Sequence, residues 1–427
     1  MVATPRITRV FGAINIGSFR VSAMIAGLSE TGEMMVLGSG HRAAQGIKRG
    51  YVTDMAAATY AVRDALERAE RIANTSVSSV WIGCSGAGLS SRIAEVEIEI
   101  GGRRIEEDDI ERLLAAGRDS IQPDGRMVLH AQPAHYTLDG AHGVANPKGL
   151  HAERLGVDIH VMMADGAPIR NVTEAVQNAH LEVEGVVGSP VSAGYACLSH
   201  EERELGVALV EFGGEVTNVS VYAGGILLGM TAIPLGSGDI TDAIASAFGI
   251  RRFQAERLKC VSGSAIASPS DHREMIPVAG PGEGDDMPLA RHADDKNRIP
   301  RAELISVITG QLDLVMKEVG KALKDMGFAG PRGHQVVLTG GGAELAGLAD
   351  YAQSALGKPV RIGRPPALRG LPEAHSGPGF ATLAGLVLYA AAAPVDIRSL
   401  GPKHQPTRTY TGFGLVDRVF GALKEYF

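Results

Sequence analysis

The chain has 427 residues, 45% of them apolar and 21% charged, with a net charge of −7, 55 glycines and three cysteines. That length is too great for one compact core and asks for two domains or several subdomains, while the apolar share excludes a disordered chain. The negative balance gives no reason to expect nucleic acid as a partner. Cys84, Cys197 and Cys260 lie too far apart for a disulfide framework or a metal spacing, which fits a reducing cytoplasm.

The opening stretch MVATPRITRVFGAINIG has no sustained apolar run, so no secretory signal is expected. Residues 7–84 read as strand, glycine turn, strand, a helix over 54–73 and a strand over 79–84. Asp54 is the expected N-cap of that helix, with Ala58, Ala61, Val62, Ala65, Leu66 and Ala69 as its apolar face. Residues 85–163 change character. An alternating strand over 95–100, an acidic-started helix over 106–118 and strands over 127–136 and 157–163 form a small α+β insert. Its histidines, His130, His135, His142, His151 and His160, show no metal-binding spacing and are expected on the surface or in turns. A helix over 168–180 and a strand over 183–188 close the first half.

The second half restarts the pattern. Residues 206–211, Gly213, Gly214 and 216–222 repeat the hairpin logic of 13–17 and 20–25. A loop-rich stretch over 262–300 precedes a helix over 301–327, a strand over 335–338 and the Gly340–Gly342 turn. The charge-free run 379–395 ends with Pro394 and is short for a bilayer core of roughly 30 Å, so it reads as a buried helix. After a Pro-bearing linker over 394–411, apolar side chains recur at Phe413, Val416, Val419, Phe420, Leu423 and Phe427. This is the period of an amphipathic helix suited to a membrane interface or a partner groove.

Three glycine turns each follow an apolar strand: Asn15-Ile16-Gly17-Ser18, Glu211-Phe212-Gly213-Gly214 and Gly340-Gly341-Gly342. Glycines there let backbone N–H groups approach phosphate oxygens with no Cβ in the way. One such turn is common. Three of them, two being copies of one hairpin, point to a nucleotide held between duplicated halves. The order resembles the actin-like ATPase superfamily, in which two related domains clamp ATP between paired phosphate hairpins and a late adenosine turn. LGSGDITDAIASAFGI (235–250) and AERLKCVSGSA (255–265) resemble the superfamily's segment around the adenosine, which implies Glu256 and Lys259 near the ribose and base.

VLHAQPAHYTLDG (128–140), NPKGL (146–150) and the strand over 157–163 resemble the small subdomain that distinguishes the FtsA family. ERELGVALVEFGG (202–214) and QVVLTGGGAELAGL (335–348) resemble its second phosphate segment and adenosine turn. The resemblance implies an α/β, actin-like or Hsp70-type two-domain ATPase fold with an FtsA-type α+β insert and a C-terminal amphipathic helix. Subdomain 1A would take 1–84 and 166–204, the insert 1C 85–165, subdomain 2A 205–244 and 311–393, and subdomain 2B 245–310. A linker over 394–411 and the helix over 412–427 would follow.

By the same resemblance the chain is a divisome adaptor that binds ATP or ADP with Mg2+, polymerises, and tethers FtsZ filaments to the cytoplasmic face of the bacterial inner membrane at the septum. The FtsZ C-terminal tail would dock on 245–310, with Arg298 and Arg301 as candidates for meeting its acidic residues. Later division proteins would dock on 85–165. The rivals of the same fold are a type IV pilus platform protein and a sugar or acid kinase.

The chain departs from its family where the chemistry would sit. Asn15 stands at the usual carboxylate of the first turn. The second turn reads Glu211, Gly213, Gly214, Glu215, Val216 and Asn218 where Asp, three glycines, Thr and Asp are usual. Glu211 remains the one candidate for positioning magnesium or water. A carboxylate at Glu215 about 4 Å from a phosphate oxygen would cost several kcal/mol at intermediate dielectric, so it must point away, pair with a cation or weaken binding. Hydrolysis is expected to be slow or absent. Each large apolar side chain of the terminal helix offers roughly 1.5–3 kcal/mol on burial before ordering costs, so one copy should bind lipid weakly and several on a polymer firmly.

Overall fold

A computed structural model of the chain describes residues 6–86, 88–278, 298–328 and 334–399. The first half runs β1 (Ile7–Ile16), β2 (Arg20–Ser29), β3 (Met34–Ala43), a short hairpin of β4 (Ile47–Lys48) and β5 (Tyr51–Val52), α1 (Met55–Ala73) and β6 (Ser79–Cys84). The insert contributes β7 (Ser90–Glu99), α2 (Glu107–Ser120), β8 (Met127–Leu138), β9 (Ala141–Val144) and β10 (Arg154–Ala164). Then come α3 (Gly166–Gln177), β11 (Glu182–Gly188), α4 (Ser189–Cys197) and α5 (His200–Leu205). The second half runs β12 (Val207–Phe212), β13 (Thr217–Ala223), β14 (Ile226–Ile233), α6 (Ser237–Phe248), α7 (Arg252–Ser262), β15 (Met275–Pro277), β16 (Arg298–Pro300) and α8 (Arg301–Asp325). It ends with β17 (Gln335–Thr339), α9 (Leu348–Leu356), β18 (Val360–Ile362) and α10 (Ala381–Ala392).

Local chemistry sets these boundaries. The Asp54 carboxylate accepts from the Ala57 N–H at 3.0 Å and starts α1, and Asn74 ends it in the left-handed region at φ 50°. The buried residues of α1 are the six of its expected apolar face. They pack on a five-stranded sheet of order β11-β6-β1-β2-β3, together with α3.

The internal duplication is visible in the hydrogen bonds. In the first hairpin the Gly17 N–H donates to the Arg20 carbonyl at 3.1 Å; in the second the Gly213 N–H donates to that of Val216 at 3.0 Å. Each hairpin also gains a parallel third strand, Asn15 lying beside Gly83 of β6 and Glu211 beside Thr339 of β17. The second sheet has nine strands in the order β18-β17-β12-β13-β14-β7-β10-β8-β9. Its last four belong to the insert, joined to the rest through a single β14–β7 pair, Thr231 with Ser90.

The structure adds a strand and corrects two expectations. The added strand is β3, and its Gly38 and Gly40 let α1 lie on the sheet: a Cβ on either would come within 2.4 Å of an α1 carbonyl oxygen. The run 379–395 does hold a buried helix, α10, but that helix does not belong with the second sheet, as a subdomain 2A over 311–393 would require. It packs on α4, β1, β2 and β6, in the core between the halves. His130 and His160 lie in the core, at 1% and 4% exposure, not on the surface; His142 and His151 are exposed as expected. Among the described residues no helix is long and apolar enough to cross a membrane. The expected linker from residue 400 onward and the expected helix with Phe413, Val416, Val419, Phe420, Leu423 and Phe427 lie outside the described residues.

Candidate functional site

The three glycine turns, the start of α6 and one face of α7 surround a single cleft of about 450 Å³. Asn15, Gly17, Ser18, Gly213, Gly214, Glu256, Lys259, Gly340, Gly341 and Gly342, all ten residues expected to meet a nucleotide, line it. The two hairpin turns nearly touch, since a Cβ on Gly214 would lie 3.1 Å from the Phe19 Cβ.

The late turn separates packing from access. Gly340, at φ 86°, and Gly342 are each required by Phe212, whose atoms would lie 2.5 Å from a Cβ at either position. A Cβ on Gly341 would meet nothing within 4 Å, so the fold itself leaves that position open toward the cleft. Among the described residues the N–H groups of Ser18, Gly214, Gly341 and Gly342 donate to no other group. Unspent donors gathered around one cavity suit a multiply charged oxyanion, and the residues present therefore fit a nucleotide's phosphates.

At the hairpin end Glu211 is 8% exposed and held by three donors: the Ser189 hydroxyl at 2.5 Å, the Asn218 amide at 2.9 Å and the Thr382 hydroxyl. The Asn218 amide also donates to Ser85 Oγ at 2.8 Å. Both Glu211 oxygens are thus tied into the frame joining α4, α10 and β13. Among the described residues no group of three His, Cys, Asp or Glu side chains is arranged to hold a metal ion.

At the other end Lys259 Nζ donates to the Ser237 carbonyl at 2.9 Å and the Thr241 hydroxyl at 2.8 Å, and pairs with Glu256 at 2.8 Å. Those acceptors use its three protons. Lys259 therefore lines the cleft as expected, but it fixes Glu256 and the start of α6 and has no proton left for a ligand. Burial pushes the Glu256 carboxyl upward, yet Lys259 and the hydrogen bonds prevail and hold it below the usual range.

The Glu215 carboxylate accepts from the Arg49 backbone N–H at 2.7 Å, which ties it to the opposite lobe. Arg301, expected to meet a partner's acidic residues, is instead engaged within the chain. It bonds Asp271 at 3.3 Å, Glu274 at 3.1 Å and the Ser262 carbonyl at 3.0 Å, at the cleft's edge. Arg298 lies exposed on β16.

Sequence reasoning missed Arg20, Ser85, Ser189, Glu344 and Thr382. Arg20 closes the first turn, lines the cleft and stacks its guanidinium 3.8 Å from the Phe380 ring centroid. Burial lowers its pKa, with Glu344 opposing. Its place three residues after Gly17 was the available signal, a cation at the end of a glycine turn. Ser189 and Thr382 carried none, because they reach Glu211 from distant segments.

Two duplicated hairpins closing on a cleft, with a late glycine turn, define an actin-like two-lobed protein. Solved structures agree in fold. The PilM–PilN type IV pilus biogenesis complex aligns over 91% of this chain and 99% of its own with a TM-score of 0.62 at 17% identity. MreB5 of Spiroplasma citri bound to ADP aligns over 90% and 97% with 0.53 at 12%. The family profile for cell division protein FtsA matches residues 208–385, and that for the SHS2 domain inserted in FtsA matches 86–163. Cell division protein FtsA of Agrobacterium fabrum (strain C58 / ATCC 33970) is 34% identical over 98% of this chain and 95% of its own; that of Escherichia coli (strain K12) is 29% identical over 88% and 89%. The chain belongs to the FtsA family of cell-division proteins.

Proposed function

We propose that the chain binds one adenine nucleotide, ATP or ADP with Mg2+, in the cleft between its lobes and uses it as a conformational ligand, hydrolysing it slowly or not at all. On this reading it polymerises and tethers FtsZ filaments to the cytoplasmic face of the inner membrane at the division septum. The observation that carries the nucleotide reading is the convergence of ten residues from four distant segments on one cavity bordered by unspent backbone donors. The MreB5 neighbour was solved with ADP, which supports the same ligand class.

The bound nucleotide would supply negative charge and its magnesium. The chain's part is to seat the phosphates between the turns of Gly17 and Gly213, to hold Glu256 at the sugar end, and to bring Arg20 to the phosphate end. Attack by water is fastest where a group free to orient it stands by, and in actin-like ATPases that group is usually a carboxylate. Asn15 and Asn218 are amides, and Glu211 accepts from three donors. That supports slow turnover and weighs against the sugar or acid kinase. The pilus platform keeps only the likeness in fold.

The membrane part rests on the sequence of 412–427 and on family membership. Replacing Phe420 and Leu423 by aspartate should leave a folded protein that no longer pellets with liposomes and no longer brings FtsZ filaments down with them. Pelleting equal to the parent chain's would refute the anchor.

A further inference from the structure

The hairpin of β4 and β5 belongs to the first lobe, and its tip is pinned to the second. The Arg49 N–H donates to Glu215 at 2.7 Å, and the Arg49 guanidinium lies 3.6 Å from Asp239 in the first turn of α6. Asp239 is itself fixed by the Gly236 N–H at 2.7 Å. The Arg49 carbonyl presses on Gly86, where a Cβ would come within 2.6 Å of it. Arg49 at φ 50° and Gly50 at φ 82° form the left-handed pair that a two-residue hairpin turn requires, so the turn itself presents the Arg49 amide at the tip.

These two links join the lobes at the phosphate end of the cleft, which Glu215 lines. The second turn is also stitched to α6, through Ser237 N–H to the Gly213 carbonyl at 2.9 Å and Gly238 N–H to that of Gly214 at 2.6 Å. Glu215, Asp239 and the phosphate turn therefore move as one piece, and the lobes cannot part without breaking both links to Arg49. The stronger is the hydrogen bond to the charged Glu215. The Arg49–Asp239 pair, with side chains 47% and 25% exposed, is the weaker.

We propose that Glu215 and Arg49 form a latch across the mouth of the cleft, with Asp239 as its second catch, and that its opening sets the rate at which nucleotide enters and leaves. This rests on the cleft being a nucleotide site. The glutamate at a glycine's position is then functional, because its carboxylate joins the lobes at the phosphate end.

The test uses the full chain, with hydrogen exchange of the Arg49 amide in the nucleotide-free protein and release of a fluorescent ADP analogue followed by stopped flow. Glu215→Ala should raise Arg49 amide exchange at least tenfold and speed release at least fivefold. Arg49→Ala, which keeps the amide but loses Asp239, should speed release less. Should Glu215→Ala prove unstable, Glu215→Gln keeps the shape, weakens the acceptor, and should move both readouts in the same direction. Unchanged Arg49 exchange in either Glu215 variant overturns the latch, and faster exchange with unchanged release overturns its gating role. A parent chain that binds no adenine nucleotide overturns the reading of the cleft, and gating with it, while Arg49 exchange still reports whether the lobes are linked.

Discussion

Lowering the pH from 7 to 5.5 should cost the folded protein roughly 2–3 kcal/mol of unfolding free energy, through two histidines with no part in the cleft. His130 and His160 sit on neighbouring strands of the insert, with ring centroids 6.1 Å apart and both rings buried. Burial pushes each pKa down to about 3, helped at His130 by Arg398 and at His160 by His130. Among the described residues, neither nitrogen of His130, nor Nε2 of His160, finds a partner. A folded pKa below the unfolded value of about 6.5 favours the neutral ring on folding. That stability is whole above pH 6.5 and is lost as pH falls toward 3, at about 1.4 kcal/mol per unit for each ring. His41, His334 and His375, also lowered chiefly by burial, act in the same direction. Urea unfolding at several pH values measures the slope, and His160→Leu should take away about one ring's share of it whatever its own effect on stability. A flat profile between pH 7 and 5.5 would show that the pair is open to water.

Gly385→Ala should destabilise the protein by about 3 kcal/mol or more, although alanine is the better helix former by about 1 kcal/mol. The conflict is between local propensity and packing. A Cβ at 385 in α10 would lie 1.7 Å from the Ser192 carbonyl oxygen and 2.5 Å from its carbon in α4. Both are backbone atoms, so no rotamer change relieves the overlap and the two helices must separate across the core between the lobes. Gly310 in α8 is the control: its Cβ would meet nothing within 4 Å, and Gly310→Ala should stabilise by about 0.5–1 kcal/mol. Urea midpoints of the two variants moving in opposite directions meet the expectation. Equal and small shifts would mean that α4 and α10 do not cross this closely.

What could be read from the sequence was what depends on neighbours along the chain. The α1 cap and apolar face, the repeated hairpins and the cleft glycines all follow from spacing and residue type. What escaped depends on contacts between distant segments. The strand β3 escaped because its glycines serve the close approach of α1. The placement of α10 follows from Gly385 meeting α4. Ser189 and Thr382 matter only because they reach Glu211. His130 and His160 looked like loop histidines because strand alternation does not say which face is covered. Glu215 looked like an obstacle to phosphate, since nothing nearby in sequence points to Arg49, 166 residues away.

The central claim is that the cleft holds a nucleotide it scarcely hydrolyses. Its most direct test is calorimetric titration of ATP and ADP with magnesium into the purified chain and a Gly341→Asp variant, with phosphate release followed on the same samples. The account predicts one nucleotide per chain, loss of binding in the variant without loss of its fold, and phosphate release far below the roughly 1–1,000 per second typical of enzymes. No saturable binding, equal binding by the variant, or turnover within that range would contradict it.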